Sequence, residues 1–230
     1  NVDWKKNWYM PKGFELGILT QLTANSYFTK NNFYRNVMPL GMIEARYPLI
    51  KSTKKISHMF EPISQFIFSP NKLIGQSNND KNTSDSTTAE FEETNLFSIN
   101  RFPGFDDIEA GIRANVGGRY TVYEPNGWEL TSTAGRVLRQ KDLNQFDASK
   151  STGLNKINSD YVSAFSLKSP QKIKISARFL FNDSLHISKN ETNIDFSSNN
   201  YSTSLGYVWL DKQSVLNLDK IQNEIKINTY

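Results

Sequence analysis

The chain has no cysteine. That excludes a disulfide framework and the cysteine-rich zinc modules, though it does not fix the compartment. No run of about 18 apolar residues occurs, so no transmembrane helix is expected. A membrane β-protein stays open, because a spanning strand needs only about 9–11 residues with a two-residue period. No basic segment followed by an apolar stretch is visible near Asn1, so no signal peptide is expected and the chain reads as mature or truncated. Histidine is scarce: His58 and His186 stand alone, with no His or Cys neighbour at ligand spacing. No GxSxG, HExxH, Walker A or dinucleotide fingerprint is present. No enzyme, metal or cofactor is therefore expected. The net charge of +4 is spread along the chain and not gathered into a basic stripe. Nucleic acid is not an expected partner.

Apolar residues are also few, at 37%, and mean hydropathy is −0.55. Either the chain is partly disordered or its strands each carry one apolar face. An aromatic content of 13% argues against wholesale disorder. The pattern is strongly period-2. From Glu109 to Tyr123, one parity reads Ala110, Ile112, Ala114, Val116, Gly118, Tyr120 and Val122. The other carries Glu109, Arg113, Asn115, Arg119 and Thr121. From Lys172 to Phe181, Ile173, Ile175, Ala177, Phe179 and Phe181 face Lys172, Lys174, Ser176 and Arg178, with Leu180 the exception. Further candidates are Phe14–Ala24, Leu40–Ile50, Ser57–Phe68, Gly127–Leu138, Asp160–Lys168, Glu191–Ser197, Tyr201–Leu210 and Ile221–Thr229. That makes roughly ten strands and no convincing helix.

Short turns are expected at Glu124-Pro125-Asn126-Gly127, Ser169-Pro170-Gln171 and Ser198-Asn199-Asn200. Longer polar stretches cover 139–159 and about 71–108, the latter expected to be a mobile loop whose 75–89 portion is of low complexity. Short turns at one end and long loops at the other suit an outer-membrane barrel, and a soluble sandwich can share that asymmetry. Fifteen residues of strand extend roughly 50 Å, longer than sandwich strands usually run. The acidic stretches Glu90, Glu92, Glu93 and Asp106, Asp107, Glu109 read as solvated loops. Asn-x-Ser/Thr sequons such as those at Asn82 and Asn190 are expected by chance in so Asn-rich a chain.

The expected fold is thus all-β, an antiparallel transmembrane β-barrel or part of one. Its apolar parity faces lipid, and Arg113, Asn115 and Arg119 line the interior as candidate substrate contacts. The structural alternative is that these arginines pair with Glu109 or other interior carboxylates. Aromatics near strand ends (Phe60, Phe66, Phe68, Tyr120, Tyr123, Trp128, Tyr207, Trp209) resemble interfacial girdles. The rival classes are a secreted or periplasmic β-sandwich binding module, a generic porin, and an outer-membrane hydrolase.

One block carries a more specific resemblance. Glu61-Pro62-Ile63-Ser64-Gln65-Phe66 is similar to the "LEP…Q" strand of the LptD (OstA, Imp) lipopolysaccharide-assembly family. Glu93 to Gly111, through Asn95-Leu96-Phe97-Ser98, Arg101-Phe102, Gly104, Asp106 and Glu109, is similar to that family's "TNLFS-x-x-RF-x-G-x-D-x-x-E-x-G" stretch, particularly in alphaproteobacterial members. The match continues through Arg113-Ala114-Asn115 and Arg119-Tyr120. The resemblance implies a bacterial outer-membrane barrel of about 26 strands, of which this chain is one fragment. It also implies lateral release of lipopolysaccharide into outer-membrane lipid, an LptE-like lipoprotein plug, and an LptA-like periplasmic bridge reached through an N-terminal domain absent here.

Overall fold

The structure, a computed structural model, describes residues 1–29, 32–72, 89–103, 107–146, 152–198, 201–211 and 222–229. Its strands are β1 (Val2–Tyr9), β2 (Glu15–Thr29), β3 (Asn32–Arg46), β4 (Leu49–Ser52), β5 (Ser57–Phe68) and β6 (Arg113–Tyr123). They continue with β7 (Glu129–Arg139), β8 (Tyr161–Lys168), β9 (Ile173–Phe181), β10 (Ile187–Ser197), β11 (Ser202–Leu210) and β12 (Gln222–Thr229). All belong to one antiparallel sheet in which neighbours in sequence are neighbours in space, with β1 and β12 at its edges. No helix among the described residues is long and apolar enough to cross a membrane.

β3 and β4 are one strand with a break. Arg46 pairs with Ile63 and Leu49 with Phe60, so the register runs unchanged past Tyr47-Pro48. Opposite the break stands Pro62. Tyr47 N–H donates to Pro62 C=O at 3.2 Å, but Pro62 has no N–H to return.

The expected tight turns at 124–128 and 169–172 lie at one end of the sheet, with the connections 10–14 and 53–56 beside them. Of the third, Asn199 and Asn200 lie outside the described residues, and Ser198 N–H donates to Tyr201 C=O at 2.8 Å at that same end. Both long connections, 69–112 and 140–160, leave the other end.

The side chains sort by parity as expected. On β5, Phe60, Phe66 and Phe68 point outward and stay exposed, while Ile63, Gln65 and Ile67 are buried. On β6, Val116 and Tyr120 are exposed, while Arg113 and Asn115 are buried. Trp4, Leu22, Ile43, Phe165, Leu205 and Ile225 continue the exposed apolar face across the sheet. A soluble sandwich buries its apolar face and wets its polar one. Here the order is inverted, as lipid contact requires.

The inner face is itself divided. Near the end from which the long connections leave it is apolar: Leu19, Leu40, Met42, Ile67, Val137, Val162 and Leu180 all point inward and are buried. The two connections fold back over these residues. Phe91, Leu96, Phe102, Phe146 and Leu154 form one core with Val137, Val162 and Leu180. Ile99 covers Leu19, Leu40, Met42 and Ile67, and Ile108 with Ala110 packs on Met38. Leu180, the exception to the β9 alternation, is apolar because this inward-folded layer covers it.

Three expectations change. β1 was not foreseen, because Lys6 interrupts its outward set of Val2, Trp4 and Trp8; its ammonium lies 5.2 Å over the Trp8 ring. Glu109–Ile112 is not strand: Gly111 has φ +91, a conformation an extended chain does not adopt, and β6 begins at Arg113. In the expected loop over 71–108, residues 73–88 lie outside the described residues, but 89–103 and 107–108 are a packed layer.

Candidate functional site

The inward-folded segment from Ala89 to Ile112 makes the inner face of β5–β10 a site, and it is held in two ways. Its second limb, from Ile99 onward, is built around Glu109. This carboxylate is fully buried and takes three guanidiniums. Arg101 Nη1 donates to Oε2 at 2.6 Å, and Arg139 Nη2 donates to Oε1 at 3.1 Å. Arg113 Nε stands 3.6 Å from Oε1. The remaining donors go largely to backbone carbonyls. Arg101 Nη2 donates to Leu96 C=O at 2.7 Å. Arg113 Nη1 donates to the carbonyls of Glu109 and Gly111 at 3.1 and 3.3 Å, and Nη2 donates to Ile99 C=O. Burial alone would raise the Glu109 carboxyl. The three cations overcome that and hold it down at about 2.

The cluster continues as a chain of hydrogen bonds across the wall. Arg101 Nη2 donates to Asn115 Oδ1 at 2.8 Å, and Asn115 Nδ2 to Gln65 Oε1 at 2.8 Å. Gln65 Nε2 donates to Glu44 Oε2 at 2.6 Å, and Arg46 clamps Glu44 from β3. Arg46 Nη1 also lies 3.7 Å from Glu61. A buried polar network is tolerable only when its members find partners, and this one ties the segment to four successive strands.

The other resembling residues have plain structural places. The Asn95 amide turns the segment: Oδ1 accepts from Glu92 N–H at 3.0 Å and Nδ2 donates to Glu90 C=O at 2.7 Å. Leu96 rests on the directly opposed pair Gly117 and Gly135; a Cβ at Gly135 would lie 2.7 Å from its Cδ2. Phe97 packs against the same core, and Phe102 stacks on Phe146 at 4.9 Å. Pro62 faces the β3/β4 break. Gly104 and Asp106 lie outside the described residues.

The first limb, 89–98, is anchored in the core by Phe91 and Leu96, and its acidic residues are held by charge. Arg178 of β9 donates to Glu93 through Nε at 2.6 Å and Nη2 at 3.2 Å, and reaches Glu92 at 3.1 Å and Glu191 at 2.9 Å. Lys189 of β10 binds Glu90 at 2.7 Å and Glu191 at 2.6 Å. Burial raises the Glu93 carboxyl, but Arg178 holds it below its ordinary value. The acidic stretches are therefore not simply solvated: Glu93 is half-buried on Arg178, and Glu109 is the least exposed acid among the described residues.

Of the three interior candidates, Arg113 and Asn115 are 1% and 0% exposed. The hydrogen bonds they make go to groups of the protein, Arg113 Nε having no partner within hydrogen-bond distance among the described residues. Arg119 faces the interior farther down β6, half-buried, opposite Glu61. Sequence reasoning did not find Arg139, Gln65, Glu44, Arg178 or Lys189 as partners. Arg178 was visible on the polar parity of the Lys172–Phe181 strand, with no sign of its acidic partners. Both histidines are off this site: His58 Nδ1 lies 2.9 Å from the Tyr120 hydroxyl on the outer face, and His186 closes the Asn182–His186 turn.

No curated protein sequence matches the chain. The family model described as LPS transport system D, LptD, matches residues 3–229. With the inverted sheet and the layer folded onto its inner face beside that match, the chain belongs to the LptD family of lipopolysaccharide-transport proteins of the outer membrane.

Proposed function

We infer that this chain forms part of the barrel wall along which lipopolysaccharide is assembled into the outer membrane, acyl chains meeting the outer face and saccharide the inner face. One observation carries the division of labour. Phe66 and Phe68 on β5 stay exposed on the outer face, while the same strand turns Glu61 and Gln65 inward. Nothing in that task requires a bond to be made or broken, and no covalent chemistry is proposed. The partners proposed are lipopolysaccharide, outer-membrane lipid, an LptE-like lipoprotein in the lumen, and an LptA-like periplasmic bridge reached through a further domain. The whole of 1–230 is taken as one piece of one barrel domain.

Within it we assign Arg113 and Asn115 to holding the inward-folded segment; their burial and their bonds to Glu109, Arg101 and Gln65 support this. Arg119 is the candidate for saccharide contact, supported by its inward direction below that layer. The test is fractionation of the full-length protein with heat-modifiable gel mobility, followed by its depletion. Outer-membrane location, a heat shift and lipopolysaccharide retained inside depleted cells are expected. A soluble product without a heat shift would overturn the assignment.

A further inference from the structure

Below the inward-folded layer, β7–β10 enclose a polar recess of about 280 Å³. Thr131, Thr133, Ser166, Ser176 and Asn193 line it with Lys174. The Ser166 hydroxyl is buried with no hydrogen-bond partner among the described residues. Lys174 stands directly across from Asp195 of β10 on one side and from Lys168 of β8 on the other, and Lys168 is paired with Glu129 at 3.1 Å. At the rim lies Arg178, whose guanidinium is gripped by Glu93 through two bonds, with Glu92 on the same group. That two-pronged grip is the geometry in which guanidinium also takes a phosphate. Without the first limb, Lys174, Arg178 and Lys189 would face the lumen, and Arg178 and Lys189 would share Glu191 as their one ion-pair partner among the described residues of the wall.

We propose that this recess binds the phosphorylated saccharide portion of the transported glycolipid, and that Glu90, Glu92 and Glu93 occupy its cations until a phosphate displaces them. The hydroxyl and amide lining suits sugar hydroxyls, and the cations suit phosphate. The limb's carboxylates are internal competitors for the same donors. The inference rests on the lipopolysaccharide function above and adds where on the wall the ligand docks and what it displaces.

The test is in-cell photo-crosslinking to lipopolysaccharide from an aromatic ketone residue at Ser176 of the full-length protein, with Thr23 on the inner face of β2 as a second position. Heat-modifiable mobility confirms that each variant is folded. Glu92→Gln with Glu93→Gln is expected to raise crosslinking at Ser176. Lys174→Ala is expected to lower it about tenfold, the scale of one lost charge-assisted hydrogen bond. Phosphatase-treated lipopolysaccharide, offered to the purified protein, is expected to lose the Ser176 crosslink. Crosslinking at Ser176 indifferent to these changes would overturn the proposal. So would crosslinking at Thr23 without any at Ser176, and in that case the transport function stands. Crosslinking at neither position, with normal lipopolysaccharide display after depletion, would remove the transport function itself.

Discussion

The two limbs of the inward-folded segment use the same kind of contact, carboxylate on guanidinium, with opposite consequences. Around Glu109 the ions are sealed: the side chains of Glu109, Arg101 and Arg113 have no exposure. Around Arg178 they are wet: Glu92 and Glu93 are 33% and 25% exposed. In the first place water cannot replace a lost partner, and in the second it can. One limb is therefore a fixture of the wall. The other keeps Phe91 and Leu96 in the apolar core, and between these anchors it is fastened by charges that water can replace.

Removing the central carboxylate has the largest expected effect. Glu109→Gln leaves three guanidiniums converging on a neutral amide, and breaking a buried ion cluster at one partner costs about 3–5 kcal/mol. The expected outcome is a marked loss of the heat-modifiable form and protease sensitivity within 99–112. Retention of both would mean that the backbone carbonyls, not Glu109, hold the arginines. Acid probes the same point. The Glu109 carboxyl is lowered on folding from 4.5 to about 2, so its contribution is complete above pH 4.5 and is lost as pH falls toward 2. Protection of 99–112 should hold from pH 7 to 5 and fade between 4.5 and 2 in the native protein. Glu109→Gln should show no such fading.

A smaller effect is expected where the layer meets the wall by shape. Gly117 and Gly135 face each other on β6 and β7, and a Cβ at Gly135 would stand 2.4 Å from Val116 C=O. The neighbour is backbone and cannot swing aside. Gly135→Ala should cost about 1–3 kcal/mol, read as a lower temperature of the heat shift with Leu96 displaced. An unchanged temperature would mean that the strands separate at this point without penalty.

Much of the wall was legible in the sequence because a strand writes its two faces into alternate residues. Ile173 to Phe181 declared lipid and lumen sides without help from neighbours. What could not be read was the cover on the inner face. Leu180 looked like an error in the alternation, and its reason is Phe91 and Leu154, far away in the chain. Glu109 was read both as an acid of a polar stretch and as a partner for the interior arginines, and Arg113 does stand 3.6 Å from it. What spacing could not show is that Arg101, in the distant connection, and Arg139, on β7, converge on the same carboxylate. Gly111 was read as a strand residue, because sequence spacing carries no sign of φ. The family resemblance pointed at the right block, but as motif residues and not as a packed layer.

The smallest effect on stability is expected at the acidic limb, and this sharpens the comparison most. Partly exposed ion pairs contribute about 0–1 kcal/mol each. Glu92→Gln with Glu93→Gln should therefore leave the heat-shift temperature nearly unchanged. The limb itself should still loosen. Raising ionic strength from about 0.1 M to 1 M shortens the screening length from about 10 Å to about 3 Å. In the native protein, amide exchange over 92–95, between the core residues Phe91 and Leu96, should accelerate with salt while exchange over 107–112 stays slow. In the double variant, 92–95 should exchange fast at both ionic strengths. Parallel salt sensitivity in the two limbs would mean that the segment opens as a single unit, and that the sealed cluster around Glu109 and the wet one around Arg178 do not divide it.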